Sequence, residues 1–197
     1  MLQITLATED RLSEAVALRL LAEFPAITVA ACIRRNGNGY LRLRMPAFSA
    51  MARHAPVLVL TDLDTAICPA SLRRDWLRGL PHLPGLLLRV AEREIEAWLL
   101  ADHDAMVFLI GAAIRPRLPD QPDRLADPKA FLLNLVRKAP REVRRNILPE
   151  PGAIASKGLG YNDRLCDLVR NEWHPARGAT RSPSLRRALG RILELVA

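Results

Sequence analysis

The stretch from Val57 to Thr61 is an unbroken apolar run of strand length, closing on threonine, and it constrains the fold more than any other segment. A strand with one wet face alternates apolar and polar residues. A run without alternation must be covered on both faces, as a central strand of a parallel sheet is. Three further segments read as strands: Leu2 to Ala7, the β-branched Ile27 to Ile33, and Gly85 to Val90. Helical spacing separates them. Ser13 to Glu23 reads as a helix with Ser13 as its N-cap, Ala47 to Arg53 as a helical turn, and Ser71 to Arg78 as a further helix. Asn36-Gly37-Asn38-Gly39 predicts a turn leading to a short segment at Leu41 to Leu43. Strands alternating with helices make βαβ units, so the expected class is α/β, with a mostly parallel sheet flanked by helices.

The second half changes character. Helices are expected from Glu94 to Leu100, across the apolar run Ala105 to Ile114, and over Ala130 to Lys138, Arg141 to Ile147, Asp163 to Asn171 and Ser184 to Val196. Asp127-Pro128 and Ser182-Pro183 each place a capping side chain before a proline at the first helical position. Pro149 to Gly160 holds too much proline and glycine to form an element. The expected division is an α/β core over residues 1–104 and a basic, mostly helical extension over residues 105–197, packed on the core as one compact unit.

Charge follows the same division. The chain carries 29 basic and 21 acidic residues in 197, yet 13 basic and 5 acidic ones fall between Arg137 and Arg191. A local excess of this kind attracts phosphate, although a solvated helical surface has the same composition. Arg141, Arg144 and Arg145, with Lys157 in its Gly-rich loop and Arg186 and Arg187 near the last helix, are the candidate nucleic-acid contacts. Aromatics are 5% of the residues, so base stacking is not the expected mode of binding. No run approaches the roughly 18 apolar residues of a membrane span, and no basic n-region opens the chain. Three widely spaced cysteines fit a reducing compartment and offer no zinc spacing. A cytoplasmic protein without a membrane partner is expected.

The acidic residues carry the chemistry. Glu9 follows the first strand, and Asp62 and Asp64 follow the run at Val57. Carboxyl ends of strands are where open α/β sheets place ligands. If the backbone stays extended through Asp64, Asp62 and Asp64 project to one side. Carboxylates pressed together repel, and a hard divalent cation with a preference for oxygen ligands removes that cost. Glu94 and Glu96 form a second acidic group past the strand ending at Val90. In a helix they point about 200° apart, so that only one could face a metal, whereas an extended segment allows both. Asp-x-Asp also suits a turn, and both glutamates also suit a helix first turn. His54, His82, His103 and His174 show no ligand spacing, Trp98 with Leu99 reads as core, and no phosphate-cradling Gly-rich loop supports nucleotide transfer.

Glu after the first strand and Asp-x-Asp after a later central strand resemble the TOPRIM signature of topoisomerases, primases and overcoming-lysogenization-defect nucleases. Longer strings resemble an uncharacterised bacterial family with a TOPRIM-like domain: Leu60-Thr61-Asp62-Leu63-Asp64, Cys68-Pro69, Arg93 to Asp102, Asp127-Pro128-Lys129 and Ser182-Pro183-Ser184-Leu185. The resemblance implies a TOPRIM-like sheet with a site for Mg2+ or Mn2+ at Glu9, Asp62 and Asp64. Glu9 would be the general acid or base and the aspartates metal ligands, with Glu94 or Glu96 completing a second metal. It also implies an AAA-type ATPase partner in phage defence. The pattern departs at Asp10, where such nucleases usually carry glycine, and a side chain there would keep the backbone from a phosphate. The expected function is metal-dependent cleavage of a phosphodiester in DNA or RNA. The alternative is a non-catalytic protein that binds nucleic acid or the ATPase through its basic helices.

Overall fold

The structure is a computed structural model that describes residues 1–34, 37–150 and 152–197. Four strands, β1 (Leu2–Thr8), β2 (Ile27–Arg34), β3 (Val57–Asp62) and β4 (Leu86–Ala91), form one all-parallel sheet in the order β2-β1-β3-β4. The class is therefore α/β, as the unbroken run at Val57 requires: β3 is interior, paired to β1 on one side and β4 on the other. Side chains of β3 alternate between two cores. Leu58 and Leu60 face one, and Val57 and Val59 face the other, all at or below 1% exposure. No helix among the described residues is long and apolar enough to cross a membrane.

The helices are distributed by chain direction. From β1 the chain steps outward to β2, and its connecting helix α1 (Arg11–Leu21) packs on the Leu58 face. It then returns across β1 to β3 and onward to β4, so α2 (Asn38–Met51) and α3 (Pro69–Trp76) lie on the opposite face with Met45, Phe48, Leu72 and Trp76. Right-handed crossovers demand that switch of face when the direction of travel reverses. The C-terminal helices all join α1's face. They are α4 (Glu96–Ala101), α5 (His103–Ile110), α6 (Pro128–Val136), α7 (Arg141–Ile147), α8 (Tyr161–Asn171), α9 (Pro175–Ala179) and α10 (Pro183–Leu193). One apolar cluster runs from Ile4 on β1 through Trp98 and Leu165 to Ile192, so the helical extension and the sheet share a core.

Several expected boundaries move, for physical reasons. α1 begins at Arg11, not Ser13, because Asp10 is the N-cap and accepts from the Ser13 amide at 2.8 Å. Asp10 thus has a structural use, as a helix cap. The segment Leu41 to Leu43 belongs to α2, which continues through Pro46 to Met51 instead of starting at Ala47. Of the turn expected at 36–39, Asn36 lies outside the described residues, and Gly37 precedes α2 with φ of 89°. α3 starts at Pro69 under a Cys68 cap, two residues before Ser71. The capping prolines at Pro128 and Pro183 stand where the sequence places them.

The stretch from Trp98 to Asp102 ties the helical half together. The Trp98 indole donates to Ser184 Oγ at 2.7 Å, and Trp173 Nε1 donates to the Trp98 carbonyl at 3.0 Å. Asp102, fully buried, accepts from Arg177 Nε and Nη2 at 2.9 and 2.8 Å and from the His174 amide at 2.8 Å. Truncating one member of such a set leaves donors without partners. Asp102→Ala is expected to cost about 3 kcal/mol of unfolding free energy, read from urea denaturation; a loss below about 0.5 kcal/mol would show that these contacts are not structural.

Candidate metal and nucleic-acid site

Strand order places the acidic residues before any side chain is considered. The chain leaves β1 toward β2 and re-enters beyond β1 at β3, so the crossovers on either side of β1 and β3 diverge. A crevice opens outside the carboxyl ends of strands at such a switch point. Glu9 is the first residue past β1, and Asp62 is the last of β3. They meet there. The Asp62 amide donates to Glu9 Oε1 at 3.0 Å, and the Thr61 hydroxyl donates to the same oxygen.

Asp64 does not follow Asp62. Leu63 still pairs with β4, its amide donating to the Ala91 carbonyl at 2.9 Å, and the chain then turns at Asp64 with φ of 48°. The extended backbone that would bring both aspartates to one side stops one residue short. The Asp64 carboxylate is exposed and accepts from Asn38 Nδ2 at 2.9 Å. Arg93 brackets the same turn: its Nη1 donates to the Asp64 carbonyl at 3.1 Å and its carbonyl accepts from the Asp64 amide at 2.9 Å.

Glu94 and Glu96 approach together, although Glu96 is already helical. Glu94 lies just before α4, in the turn that follows Arg93 (φ 63°), so the helical angle between positions two apart does not apply. Both glutamates reach one cation. Glu94 accepts from Lys129 Nζ at 3.1 Å and from the Lys129 amide at 2.9 Å, and Glu96 Oε1 lies 3.6 Å from Lys129 Nζ. Glu96 Oε1 also accepts from the Tyr161 hydroxyl at 2.7 Å. Lys129 stands at the second position of α6, against the helix dipole, where an ammonium is unfavourable unless carboxylates compensate it. That mismatch was the signal by which sequence could have found it. Tyr161 and Thr61 carried none.

Two carboxylate oxygens at this centre, Asp62 Oδ1 and Glu96 Oε2, are buried without a hydrogen-bond partner. Charge imbalance follows. Burial, and then the charges of Glu96, Glu9 and Asp64, push the Asp62 carboxyl well above its ordinary value. Burial also raises Glu9 against its bonds from Thr61 and Asp62, and raises Glu96 against the pull of Lys129 and Tyr161. Burial alone would lower Lys129, but Glu96 and Glu94 outweigh it and hold the ammonium charged. Among the described residues, no three His, Cys, Asp or Glu side chains are gathered into a ready metal cage. Glu9 is turned onto Thr61, Glu94 onto Lys129 and Asp64 onto Asn38. The donors are all oxygen and two of them lack partners, which suits a hard cation, yet the carboxylates do not converge on one point.

The basic candidates divide into separate groups. Arg141, Arg144 and Arg145 are exposed on α7, which packs against α6 and α8. Arg186 and Arg187 are exposed on α10, which packs against α9 and β4, and Arg187 pairs with Glu92 at the end of β4. Lys157 is half-buried, donates to Asn162 Oδ1 at 3.3 Å and sits 4.9 Å from the Tyr161 ring centroid. Its loop is anchored: the Gly158 amide donates to the Ile147 carbonyl at 2.9 Å, and a Cβ at Gly158 would lie 2.5 Å from the Leu148 carbonyl oxygen. Beside the acidic centre a cleft of about 570 Å3 is walled by Leu63 and Ile67 on one side and by Glu92, Arg93 and Arg124 on the other. No family model, no curated protein and no solved structure matches this chain.

The raised carboxyls make a testable statement about stability. A carboxyl whose native value lies above its unfolded value stabilises the fold below the ordinary carboxylate range, and that contribution is lost as pH rises through the raised native value. Asp62→Asn removes the charge with the least compensation. In buffer without divalent cation it is expected to raise Tm at pH 8 by roughly 2–6 °C and to leave Tm at pH 4 unchanged. A variant that melts below wild type at pH 8 would show that the Asp62 carboxylate is paired in solution.

Proposed function

We propose that the protein is a Mg2+- or Mn2+-dependent phosphodiester-cleaving enzyme whose centre is formed by Glu9, Asp62 and Glu96 at the β1/β3 switch point. The observation that supports this most is the pair of buried, unpartnered oxygens Asp62 Oδ1 and Glu96 Oε2. Buried polar atoms without partners are uncommon and mark either strain or a missing ligand. Asp62, Glu96 and Glu9 would hold the cation, with Asp64 and Glu94 able to join by exchanging Asn38 and Lys129 for it. A bound cation supplies polarisation of the phosphoryl oxygens and a more acidic water.

The chain's own residues account for the remaining requirements. Both hydrogen bonds to Glu9 end on Oε1, and burial raises its pKa above the ordinary carboxylate value, the direction that a proton-exchanging group needs. Lys129 offsets part of the negative charge that would otherwise repel a nucleic-acid backbone. Arg124, in the wall of the neighbouring cleft, would meet a phosphate flanking the reacting one, with Arg93 beside it holding the Asp64 turn. The resemblance to TOPRIM proteins supports the same reading, and a partnership with an AAA-type ATPase in phage defence is proposed with it.

A second reading has its own support. The carboxylates do not form a ready cage, and the arginines of α7 lie on an exposed face. Both observations suit a non-catalytic protein that binds nucleic acid or an ATPase through that face. Cleavage of DNA and RNA substrates in manganese separates the two. On the enzymatic reading Asp62→Asn and Glu9→Gln each lower the rate by about 100-fold or more, and manganese raises Tm of wild type but not of Asp62→Asn. Cleavage that survives both substitutions would discard the mechanism. Substrate binding that depends on Arg141 and Arg145, without cleavage by wild type, would establish the second reading.

A further inference from the structure

Arg89 is a cation buried in an unusual place. It lies on β4, the outermost strand on that side of the sheet, and projects under α10 with 8% of its surface exposed. Its Nε has no hydrogen-bond partner. Burying a charge is costly unless it is paired and hydrogen-bonded. Among the described residues Arg89 forms no ion pair, and the charged groups nearest it have the same sign: Arg73 from α3, and Arg187 and Arg191 from α10. Burial, and then those three guanidinium groups, lower its pKa to about 9. Arg191 is held by Glu194 and Arg187 by Glu92, both at the surface, whereas Arg73 has no ion-pair partner among the described residues.

Arg73, Arg89 and Arg187 border a cavity of about 70 Å3, completed by Pro69 of α3, Leu88 of β4 and Ala188 of α10. No carboxylate lines it. Glu92, Asp120 and Asp123 line the larger clefts nearby. A half-open space bordered by three guanidinium groups, of which only Arg187 has a carboxylate partner, is complementary to a small oxyanion, and the planar guanidinium fork suits tetrahedral oxygens. Two guanidinium charges, those of Arg73 and Arg89, stand unpaired. A phosphate monoester carries about −1.5 to −2 at neutral pH, which matches them, while an internal phosphodiester carries only about half that charge.

We propose that the cavity between α3, β4 and α10 binds a phosphate monoester, with Arg89 as its buried anchor and Arg73 and Arg187 as the flanking contacts. The ligand chemistry is shared by free phosphate and by the terminal phosphate of a nucleotide or nucleic-acid end. Arg187 also lines the adjoining cleft of about 570 Å3, where Arg124 and Arg181 stand among Glu92, Asp120 and Asp123. Binding at the cavity is independent of the acidic centre's chemistry, and it stands or falls without any divalent cation.

The test is calorimetry and thermal melting in EDTA, with inorganic phosphate, a 5′-phosphorylated oligonucleotide and its 5′-hydroxyl counterpart as probes, against chloride at equal ionic strength. Phosphate is expected to raise Tm of wild type and of Asp62→Asn alike. Arg89→Met and Arg187→Gln should each weaken phosphate binding by about tenfold or more, the equivalent of one lost charge-assisted hydrogen bond. Arg89→Met loses an unpaired buried charge, so it is expected to fold and to melt at or above wild type without phosphate. A preference for the 5′-phosphorylated oligonucleotide that Arg89→Met abolishes identifies a nucleic-acid end as the source. Equal binding of the two oligonucleotides, with inorganic phosphate still binding through Arg89, identifies the free anion. No phosphate-dependent change in wild type, or an unchanged response in both arginine variants, would overturn the proposal and leave Arg89 as a charge guarding an outer strand against edge pairing.

Discussion

Mutual repulsion among the carboxylates gathered at the β1/β3 switch point, half-buried at Glu9 and Asp62 and buried at Glu96, is the constraint around which this structure is arranged. Glu9, Asp62 and Glu96 influence one another through a poorly solvated interior, with the Lys129 ammonium as their principal compensation. At an effective dielectric of about 20, two unit charges 4 Å apart repel by about 4 kcal/mol. A fold that holds such a cluster must recover that energy elsewhere. It does so through a core shared by the sheet and seven helices, and through the buried contacts of Trp98 and Asp102.

The segment from Arg93 to Asp102 joins those two requirements. Its first half belongs to the acidic centre: Arg93 brackets the Asp64 turn, and Glu94 and Glu96 engage Lys129 and Tyr161. Its second half is structural, with Trp98 bonded to Ser184 and Trp173, and Asp102 to Arg177. The helical extension is therefore no appendage to the sheet. It supplies Lys129 and Tyr161 to the centre, and Arg187 to both the Glu92 edge and the cavity at Arg89. A centre assembled this way depends on the docking of α6 and α8 for its electrostatics, even though its carboxylates come from the end of β3 and from residues that follow β1 and β4.

The two charge anomalies are complementary. At one place carboxylate oxygens are buried without donors; at another a guanidinium is buried without an acceptor. Each is costly in isolation, and each is relieved by an ion of the opposite sign. The first lies at the carboxyl end of β3, where an open α/β sheet exposes its ligand crevice, and the second lies along the outer strand β4. A divalent cation at the first and a phosphate monoester at the second are the ions proposed to relieve them.

Sequence alone determined the α/β class, the four strands and the approximate helices, because an unbroken apolar run, helical spacing and Asp-Pro or Ser-Pro caps act over a few residues. It also placed Glu9 and Asp62 at strand ends, since strand ends are local features. It missed the cap at Asp10 and the early start of α2, where capping geometry and covering of the second sheet face outweigh local propensity. Only the tertiary structure decided that Asp64 turns away from Asp62, that Glu94 and Glu96 share Lys129, and that Arg89 is enclosed by Arg73 and Arg187. Those outcomes rest on contacts between residues up to about a hundred positions apart. Burial, which sets whether a charge is inert or chemically poised, is a property of the packed molecule.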